Sequence, residues 1–389
     1  MKDFLIRLGL KLLRTFLPIL KFRGYVVVTR FDDVEEVFSR PNVFGVTYAE
    51  KMAVVTAGGN FFLGMNDTET YERDVSNMRV LMPRSDAAAI IKPLVENYAN
   101  SLVDSLGDNF DFVADLSSRV PVHFCSDYLG VPGPSEKEMI TWNSFLFGYL
   151  FFPNNPAEFD EKAKVLATDA RNYLDQSIAT RKQQAFKDDV LGRALNLQNA
   201  NVPGMSDLDI RNNLIGMTIG AIPTTSMASA LIMDYLLDHP KHLALAQQLA
   251  RADDDDRLAN LVLETLRFMP FSPGIFREVL TDYTLGTGWL CSRRLKKGSK
   301  VIALTQSAML DGRYVSRPGH FSVDRPRHIY MPFGYGMHRC FGYYINLVQI
   351  PAILKPVLKK ATIARAPGKA GKLQYKDLFP AHLQLITTS

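Results

Sequence analysis

The stretch Phe333-Gly334-Tyr335-Gly336-Met337-His338-Arg339-Cys340-Phe341-Gly342 is the most informative part of this 389-residue chain. It places one cysteine in a glycine-bounded loop, just before a predicted helix that runs to about Lys360. Backbone N–H groups and the positive end of a helix dipole at such a position favour a thiolate. That thiolate could ligate a metal or act as a nucleophile. Apart from His338, no Cys or His lies nearby at the spacing of a zinc site.

Composition narrows the class of protein. The chain is 47% hydrophobic and 22% charged, which is typical of a globular protein and excludes intrinsic disorder. Its three cysteines, Cys125, Cys291 and Cys340, are a poor disulfide framework and favour a reducing compartment such as the cytoplasm. A net charge of +5 is too small to indicate a nucleic-acid partner. Cys125 and Cys291 are expected to be packing residues.

Helical patterns dominate, with a minor amount of strand. The longest predicted helix begins at a capping box, Ser206 to Asp209, and runs to about Asp238. Its nearly uncharged centre predicts burial, and Pro223 inside it predicts a kink. The pattern also predicts a long loop over Val46–Met65. Ser85 and Asp86 are predicted to cap a helix over 87–106.

The N-terminal segment 1–22 is basic and rich in leucine. It carries too many charges for a membrane span, and it lacks the small-residue cleavage site of a signal peptide. We expect an amphipathic helix there, preceding one catalytic domain over 23–389. Its apolar stripe would either pack on the body of the protein or lie on a membrane surface.

The cysteine loop resembles the heme-binding loop of cytochrome P450, matching its pattern at Phe333, Gly336, Cys340 and Gly342. The resemblance implies that the Cys340 thiolate is the axial ligand of the iron of heme b. It also implies that His338 contacts a heme propionate.

Two further motifs support the resemblance. Glu264-Thr265-Leu266-Arg267 matches the E-x-x-R of the family, which implies a buried structural pair joined by a later arginine, here Arg325. Arg277 resembles the arginine that binds a heme propionate. The match extends from about Tyr25 to Lys360. It implies a single, triangular, mainly α-helical heme-binding unit with a minor β portion, of the soluble bacterial type.

The long helix departs from the family pattern. Where an acid precedes the alcohol, this chain has Ala221-Ile222-Pro223-Thr224. Thr224 retains the alcohol, whereas Pro223 cannot supply a proton for splitting bound oxygen. Ala221, Pro223 and Thr224 are the predicted catalytic stretch.

Three interpretations of this departure stay open. The first is a monooxygenase that receives electrons from a separate ferredoxin-type protein. The second is a peroxygenase or fatty-acid hydroperoxide isomerase that uses a preformed O–O bond and needs no donor. The third, a minor one, is a heme-binding protein without turnover. The uncharged stretch Asn346–Gln349, where the family meets its electron donor, slightly favours the second.

Other predicted contacts are less regular. Tyr71 fits an aromatic position that faces the heme in the family, but Val75 fills the arginine position four residues later, so Arg73 or Arg79 would substitute. Phe61, Phe62, Ile275 and the aromatic run Phe145–Phe152 predict an apolar pocket. The expected substrate is a hydrophobic small molecule, for which a lipid is one candidate.

Overall fold

The computed structural model describes residues 2–152, 156–287 and 291–388. These residues are mainly helical, as the sequence predicts. The α-helices are α1 (Lys2–Phe16), α2 (Phe31–Ser39), α3 (Ala49–Thr56), α4 (Glu69–Leu81), α5 (Lys92–Ser105), α6 (Arg119–Phe124), α7 (Glu136–Phe151), α8 (Ala157–Arg181), α9 (Val190–Asn199), α10 (Asp207–Asp238), α11 (Pro240–Arg251), α12 (Asp255–Phe268), α13 (Thr305–Ala308) and α14 (Tyr343–Leu358).

Short strands make up the β portion. They are β1 (Ile19–Phe22), β2 (Tyr25–Val28), β3 (Phe44–Gly45), β4 (Asn109–Asp111), β5 (Ile275–Val279), β6 (Tyr283–Leu285), β7 (Arg293–Leu295), β8 (Lys300–Ala303), β9 (Thr362–Arg365), β10 (Gln374–Lys376), β11 (Phe379–His382) and β12 (Gln384–Thr388). Single helical turns of 3-10 or π type, such as the π turn Ala87–Ile91, lie between some of these elements.

The chain divides into two compact units, each formed by two separate stretches. Unit 1 contains Met1–Thr47 and Asn260–Tyr343. Unit 2 contains Tyr48–Ala259 and Tyr344–Ser389.

Unit 1 is organised around a five-stranded sheet of order β1-β2-β8-β5-β3. Strands β2 and β8 are parallel, with Val28 opposite Ala303, and the other neighbours are antiparallel. β-branched residues make β2 a good strand former, and Val28 and Val301 are fully buried. In this sheet β5 holds Arg277 opposite Val301.

Unit 2 is organised around α10. The predicted capping box is present, since Ser206 Oγ accepts from the N–H of Asp209 and the Asp209 carboxylate accepts from the N–H of Ser206. Most of the helix is buried, including Pro223, and the helix continues unbroken through that proline. Within the described residues α10 is the one helix long and apolar enough to cross a membrane, but 83% of its most apolar window is buried in the protein. It is therefore a core helix.

Two local predictions were wrong. The segment Val46–Met65 contains α3 and is not one long loop. Side chains distant in sequence satisfy the last carbonyls of α3: Arg171 Nη1 donates to Val55 at 2.8 Å and Arg211 Nη2 to Thr56 at 3.2 Å. A local pattern cannot show such caps.

The second wrong prediction is the cap at Asp86, which makes no capping bond. Its carboxylate instead accepts from Tyr128 Oη at 2.9 Å and from Arg193 Nη1 at 2.5 Å. The π turn Ala87–Ile91 follows it, and α5 begins only at Lys92.

The N-terminal helix is shorter than the predicted segment 1–22. It ends at Phe16, two residues before Pro18. Residues Ile19–Phe22 form β1, which pairs antiparallel with β2 through the turn Arg23-Gly24. The strand forms because its buried Ile19 and the partner residues Val26 and Val28 join the core of unit 1.

Candidate heme site

The cysteine loop is a compact turn held by its own backbone. Cys340 N–H donates to Phe333 O at 2.8 Å, and Arg339 N–H donates to Gly336 O at 3.1 Å. Gly334 and Gly336 have φ values of +72° and +67°, a region that glycine enters without steric cost. Helix α14 begins at Tyr343, so the cysteine lies just before a helix, as predicted.

The environment of the Cys340 sulfur suits a metal-bound thiolate. Burial raises the pKa of the Cys340 thiol, while a hydrogen bond from the Gly342 N–H and the charge of Arg339 oppose that rise. Both of these groups stabilise negative charge on sulfur, which forms fully when a metal replaces the proton.

The donor set fits heme better than a protein-bound metal ion. Among residues 2–152, 156–287 and 291–388, no three His, Cys, Asp or Glu side chains cluster as ligands. Cys340 could therefore complete only the coordination of a metal that brings its other ligands with it, as heme iron does.

The loop is attached to helix α2. Tyr335 Oη donates to Glu35 Oε1 at 2.7 Å, and a Cβ atom on Gly336 would lie only 2.3 Å from the carbonyl oxygen of Phe38. The sequence contains no motif that assigns α2 this role. The contacts appear only when residues 300 positions apart are brought together.

Phe38 also contacts Arg277. The Arg277 guanidinium lies 5.2 Å from the centre of the Phe38 ring, and its Nη1 donates to Phe276 O at 2.8 Å. Arg277 is 4% exposed, so it is a buried cation on the element that unit 1 places beside the cysteine loop. Arginine binds carboxylates bidentately, so a heme carboxylate would suit this guanidinium.

The predicted Glu264–Arg267–Arg325 cluster is present in unit 1. Glu264 accepts from Arg267 through two bonds of 2.8 Å and from Arg325 Nε at 3.2 Å, and both Glu264 and Arg267 are fully buried. Arg267 donates onward to the carbonyls of Met309, Pro318 and His320. The cluster thus ties together the loops that precede the cysteine.

Two further hydrogen-bond partners of Glu264 belong to no motif and could not be predicted from the sequence. Tyr330 Oη donates to Oε2 at 2.9 Å and Ser322 N–H donates to Oε1 at 2.9 Å. Burial alone would raise the pKa of Glu264, but Arg267 and these donors hold it below its usual value. The carboxylate is therefore charged and fully hydrogen-bonded, as a buried ion must be.

In unit 2, the part of α10 where Pro223 replaces the acid of the family pattern has a defined geometry. The Thr224 hydroxyl donates to the carbonyl oxygen of Gly220, one turn earlier. Pro223 is buried, whereas Ala221 and Thr224 are half-buried and Gly220 is exposed. Apart from the neighbouring backbone of α10 itself, no atom of the described residues lies within 4 Å of the point that a Cβ on Gly220 would occupy. Positions 220 and 224 thus share an open face of the helix.

Phe61 packs against this face of α10 at Gly216, one turn before Gly220. A Cβ on Gly216 would lie 2.4 Å from the Phe61 ring, so the aromatic ring packs directly on the helix backbone. Gly216, Gly220 and Thr224 are spaced by four residues and lie on one ridge. An apolar wall therefore stands at one end of the open stretch.

The residues of α4 that the sequence predicts near the heme do not all lie on one face of the helix. Arg73 pairs with Asp74, Nη2 to Oδ1 at 2.7 Å. Arg79 is exposed, and its charge partly offsets the rise that burial causes in the pKa of Tyr71. Tyr71, Val75 and Arg79 are spaced by four residues and therefore share a face, which Arg73 does not.

The predicted donor surface at Asn346–Gln349 requires a correction. Asn346, Leu347 and Gln349 are buried, and Gln349 is only 1% exposed. Asn346 Oδ1 accepts from Thr225 Oγ1 on α10 at 3.1 Å. The stretch lacks charge because it faces the core, so its neutrality says nothing about an electron donor.

Part of the predicted aromatic cluster is present. Phe147 contacts Phe151, Phe152 and Phe379, with ring centres 4.6 to 6.5 Å apart. Phe145 instead stacks on Phe159. Phe379, in β11, was not predicted, because nothing local links it to residues more than 200 positions earlier. Ile275 lies in unit 1, with its Cδ1 3.5 Å from the Cβ position of Gly334.

Comparison with known proteins gives one consistent family. The family model described as "Cytochrome P450" matches residues 11–382. Nocardicin C N-oxygenase of Nocardia uniformis subsp. tsuyamanensis is 24% identical over 351 residues, covering 86% of this chain and 81% of the relative. A bifunctional dioxygenase–epoxy alcohol synthase of Pyricularia oryzae is 22% identical over 390 residues, covering 90% of this chain but 34% of that longer protein.

Solved structures show the same fold. The crystal structure of CalO2 superposes with a TM-score of 0.81 at 20% identity, covering 98% of this chain and 95% of that chain.

Proposed function

The chain belongs to the cytochrome P450 family, and from that premise we propose that it inserts one oxygen atom of O2 into an apolar small molecule and releases the other as water, using two electrons and two protons. Relatives in this family are monooxygenases that hold heme through a cysteine thiolate. When bound, the heme supplies the redox chemistry that activates dioxygen. The observation that carries the proposal is Cys340, held before α14 with a backbone N–H directed at its sulfur.

The residues of unit 1 would hold the cofactor. We assign Cys340 as the iron ligand, with the Gly342 N–H stabilising its negative charge. Arg277 would bind a heme propionate, and His338 is a second propionate contact implied by the family pattern. Phe333 and Gly336 would shape the loop. Glu264, Arg267 and Arg325 would act as its structural support.

For unit 2 the assigned roles come from the family pattern. Tyr71 matches the aromatic position that faces the heme in the family, and Arg79 is the better match for a supporting cation, because Arg73 is already paired with Asp74. The Thr224 hydroxyl would hold a water or proton at the oxygen-binding side. It donates to Gly220 O and keeps acceptor lone pairs for a second partner. Pro223 contributes no proton, and the small Ala221 leaves space.

The substrate is proposed to be apolar. Phe61 stands at one end of the open face around Gly220, and the cluster around Phe147 adds aromatic surface in the same unit. Apolar walls with a few polar groups are typical of sites for hydrophobic ligands. Electrons would come from a separate ferredoxin-type protein in the cytoplasm.

A peroxide route is the second candidate. Pro223 removes the acid that usually supplies protons, and a matched relative is named an epoxy alcohol synthase. In that case the oxygen–oxygen bond would arrive in the substrate or in peroxide, and no donor would be needed. The buried stretch Asn346–Gln349 no longer supports this route.

One experiment distinguishes the two routes. Purified heme-loaded protein is incubated with a panel of lipids under labelled O2, a ferredoxin, its reductase and NADPH, and in parallel with hydrogen peroxide or lipid hydroperoxides. We expect labelled product only in the electron-supplied reaction. Turnover with hydroperoxide and none with electrons would overturn the monooxygenase proposal. Cys340→Ser, which removes the iron ligand, is the control for adventitious oxidation.

A further inference from the structure

Helix α1 is attached to unit 1 by its cations. Arg14 Nη1 donates to the carbonyl oxygen and to Oγ of Ser307, both at 2.9 Å, and Arg30 Nε donates to Arg14 O at 2.9 Å. The Arg7 guanidinium lies 4.5 Å from the centre of the Phe268 ring. Arg7 and Arg14 are seven residues apart and share one face of the helix.

The opposite face of α1 is apolar and exposed. Leu8, Leu12 and Phe16 are spaced by four residues, and their exposed fractions are 42%, 50% and 73%. A helix on the surface of a globular protein normally buries its leucines and exposes its cations. On α1, by contrast, these three apolar side chains are exposed, while Arg7 and Arg14 are half-buried against the protein. We call Leu8, Leu12 and Phe16 the outer ridge.

The hairpin after α1 continues this surface. Arg23 and Gly24 form its turn, both at positive φ, and Phe22 precedes them. Phe22 is 55% exposed, and the Arg23 guanidinium lies 5.2 Å from the centre of its ring. An arginine in the left-handed region is uncommon, and a tip that pairs an exposed aromatic with a cation suits an interface between apolar and aqueous phases.

Charge indicates the kind of partner. Between Ile6 and Gly24 the sequence has five basic residues and no acidic one. Lys11, Lys21 and Arg23 are exposed, whereas Arg7 and Arg14 face the protein. Exposed apolar side chains flanked by cations match the surface of an anionic bilayer, where the apolar groups enter the acyl boundary and the cations meet headgroups.

We propose that the outer ridge of α1, with Phe22 and Arg23, is a binding surface for an anionic phospholipid bilayer. This inference does not depend on the oxygen chemistry proposed above. It assigns the protein a peripheral position from which apolar substrates dissolved in the bilayer would be close at hand.

Vesicle co-sedimentation tests the proposal. Full-length heme-loaded protein is mixed with vesicles of phosphatidylcholine, with or without phosphatidylglycerol. We expect binding to the anionic vesicles, weaker binding at high salt, and little binding to the neutral ones. Leu8→Ser/Leu12→Ser/Phe16→Ser should weaken binding about tenfold or more. The matched control Phe186→Ser/Leu208→Ser, at exposed apolar positions elsewhere, should bind as the parent protein does.

A second variant guards against misfolding of the triple substitution. Phe16→Trp should show a blue shift in fluorescence on adding anionic vesicles, and Phe186→Trp should not. Equal binding to neutral and anionic vesicles, or no shift in Phe16→Trp, would overturn the proposal. So would a dimer in the absence of lipid that the triple substitution dissociates, since the ridge would then be a contact between copies of this chain.

Discussion

The carbonyl oxygen of Phe38 lies 2.3 Å from the point that a Cβ atom on Gly336 would occupy. This contact sets the cysteine loop against the end of helix α2 and leaves no room for a side chain. A glycine is therefore required at position 336 for two reasons, the close approach of the Phe38 carbonyl and the positive φ of the backbone.

The two glycines of the loop allow these requirements to be separated. Gly334 and Gly336 have nearly equal φ values, but the nearest atom to a Cβ on Gly334 is Ile275 Cδ1, at an ordinary 3.5 Å. Gly334→Ala should cost only the conformational strain, about 1–2 kcal/mol. Gly336→Ala should cost more and reduce heme incorporation severalfold, measured as heme per protein. Equal effects of the two substitutions would contradict this account of Gly336.

The assignment of Cys340 as the iron ligand can be tested against a second cysteine of the same chain. Cys340→Ser should abolish the absorption band of the reduced carbon monoxide complex that is typical of thiolate-bound heme. Cys291→Ser should leave it intact, because Cys291 lies in an irregular segment of unit 1 and is about 50 residues from the motif in sequence. Persistence of the band in Cys340→Ser would show that the ligand has been assigned wrongly.

Thr224 and Thr225 are predicted to differ in kind. Thr224→Val removes a hydroxyl on the open face of α10, so the fraction of electrons recovered in product should fall by a factor of about 10². Reductant consumption should continue. Thr225→Val removes the bond to Asn346 in the core and should lower the free energy of unfolding by about 1–2 kcal/mol. Thr225→Val should hardly change the fraction of electrons recovered in product. A large fall in that fraction would show that Thr225 shares the role proposed for Thr224.

Asp33 should make stability depend on pH near neutrality. Among the described residues its buried Oδ2 has no hydrogen-bond partner, and burial followed by the charge of Asp32 raises its pKa to about 6. A carboxyl with a raised pKa in the folded protein binds protons more tightly than it does in the unfolded chain. Stability is therefore lost as pH rises from about 4 to 6.

Asp33→Asn removes this cost. We expect it to stabilise the protein at pH 8 by about 2 kcal/mol and to have a much smaller effect near pH 4, as measured by thermal unfolding across that range. Asp104→Asn, at an exposed position on α5, is the control and should change neither value. A pH-independent effect of Asp33→Asn would indicate steric relief in place of charge.

Glu264 should have the opposite effect on the pH dependence of stability, because it stabilises the protein at neutral pH and loses this effect in acid. Its pKa is lowered in the folded protein, so its contribution is complete above the unfolded value near 4.3 and is lost as pH falls through the folded pKa. Glu264→Gln should destabilise the protein by about 3–5 kcal/mol at pH 7, because Arg267 is left buried without its counter-charge. The deficit relative to the parent should narrow below pH 4, and a constant deficit would contradict the assignment.

The chemistry-bearing motifs could be predicted from the sequence because each is local or has a fixed residue type. Cys340 and its glycines form one short loop, and Glu264 and Arg267 share one turn of α12. The capping box at Ser206 was confirmed for the same reason. The loop predicted over Val46–Met65 was wrong. Helix α3 forms there, ended locally by Ala57 and Gly58 and capped further by Arg171 and Arg211, which are far away in sequence.

The amino-acid sequence by itself determined the family and the long apolar helix with Pro223 in place of an acid, and it predicts Cys340 as the iron ligand. Tertiary structure alone decided which side of each element meets the core. It placed Asn346 and Gln349 inside, where neutrality is a packing requirement, and it turned Arg7 and Arg14 inward so that Leu8, Leu12 and Phe16 face outward. The physical reason is that burial depends on partners distant in the chain, and the periodicity of one helix does not specify which face those partners cover.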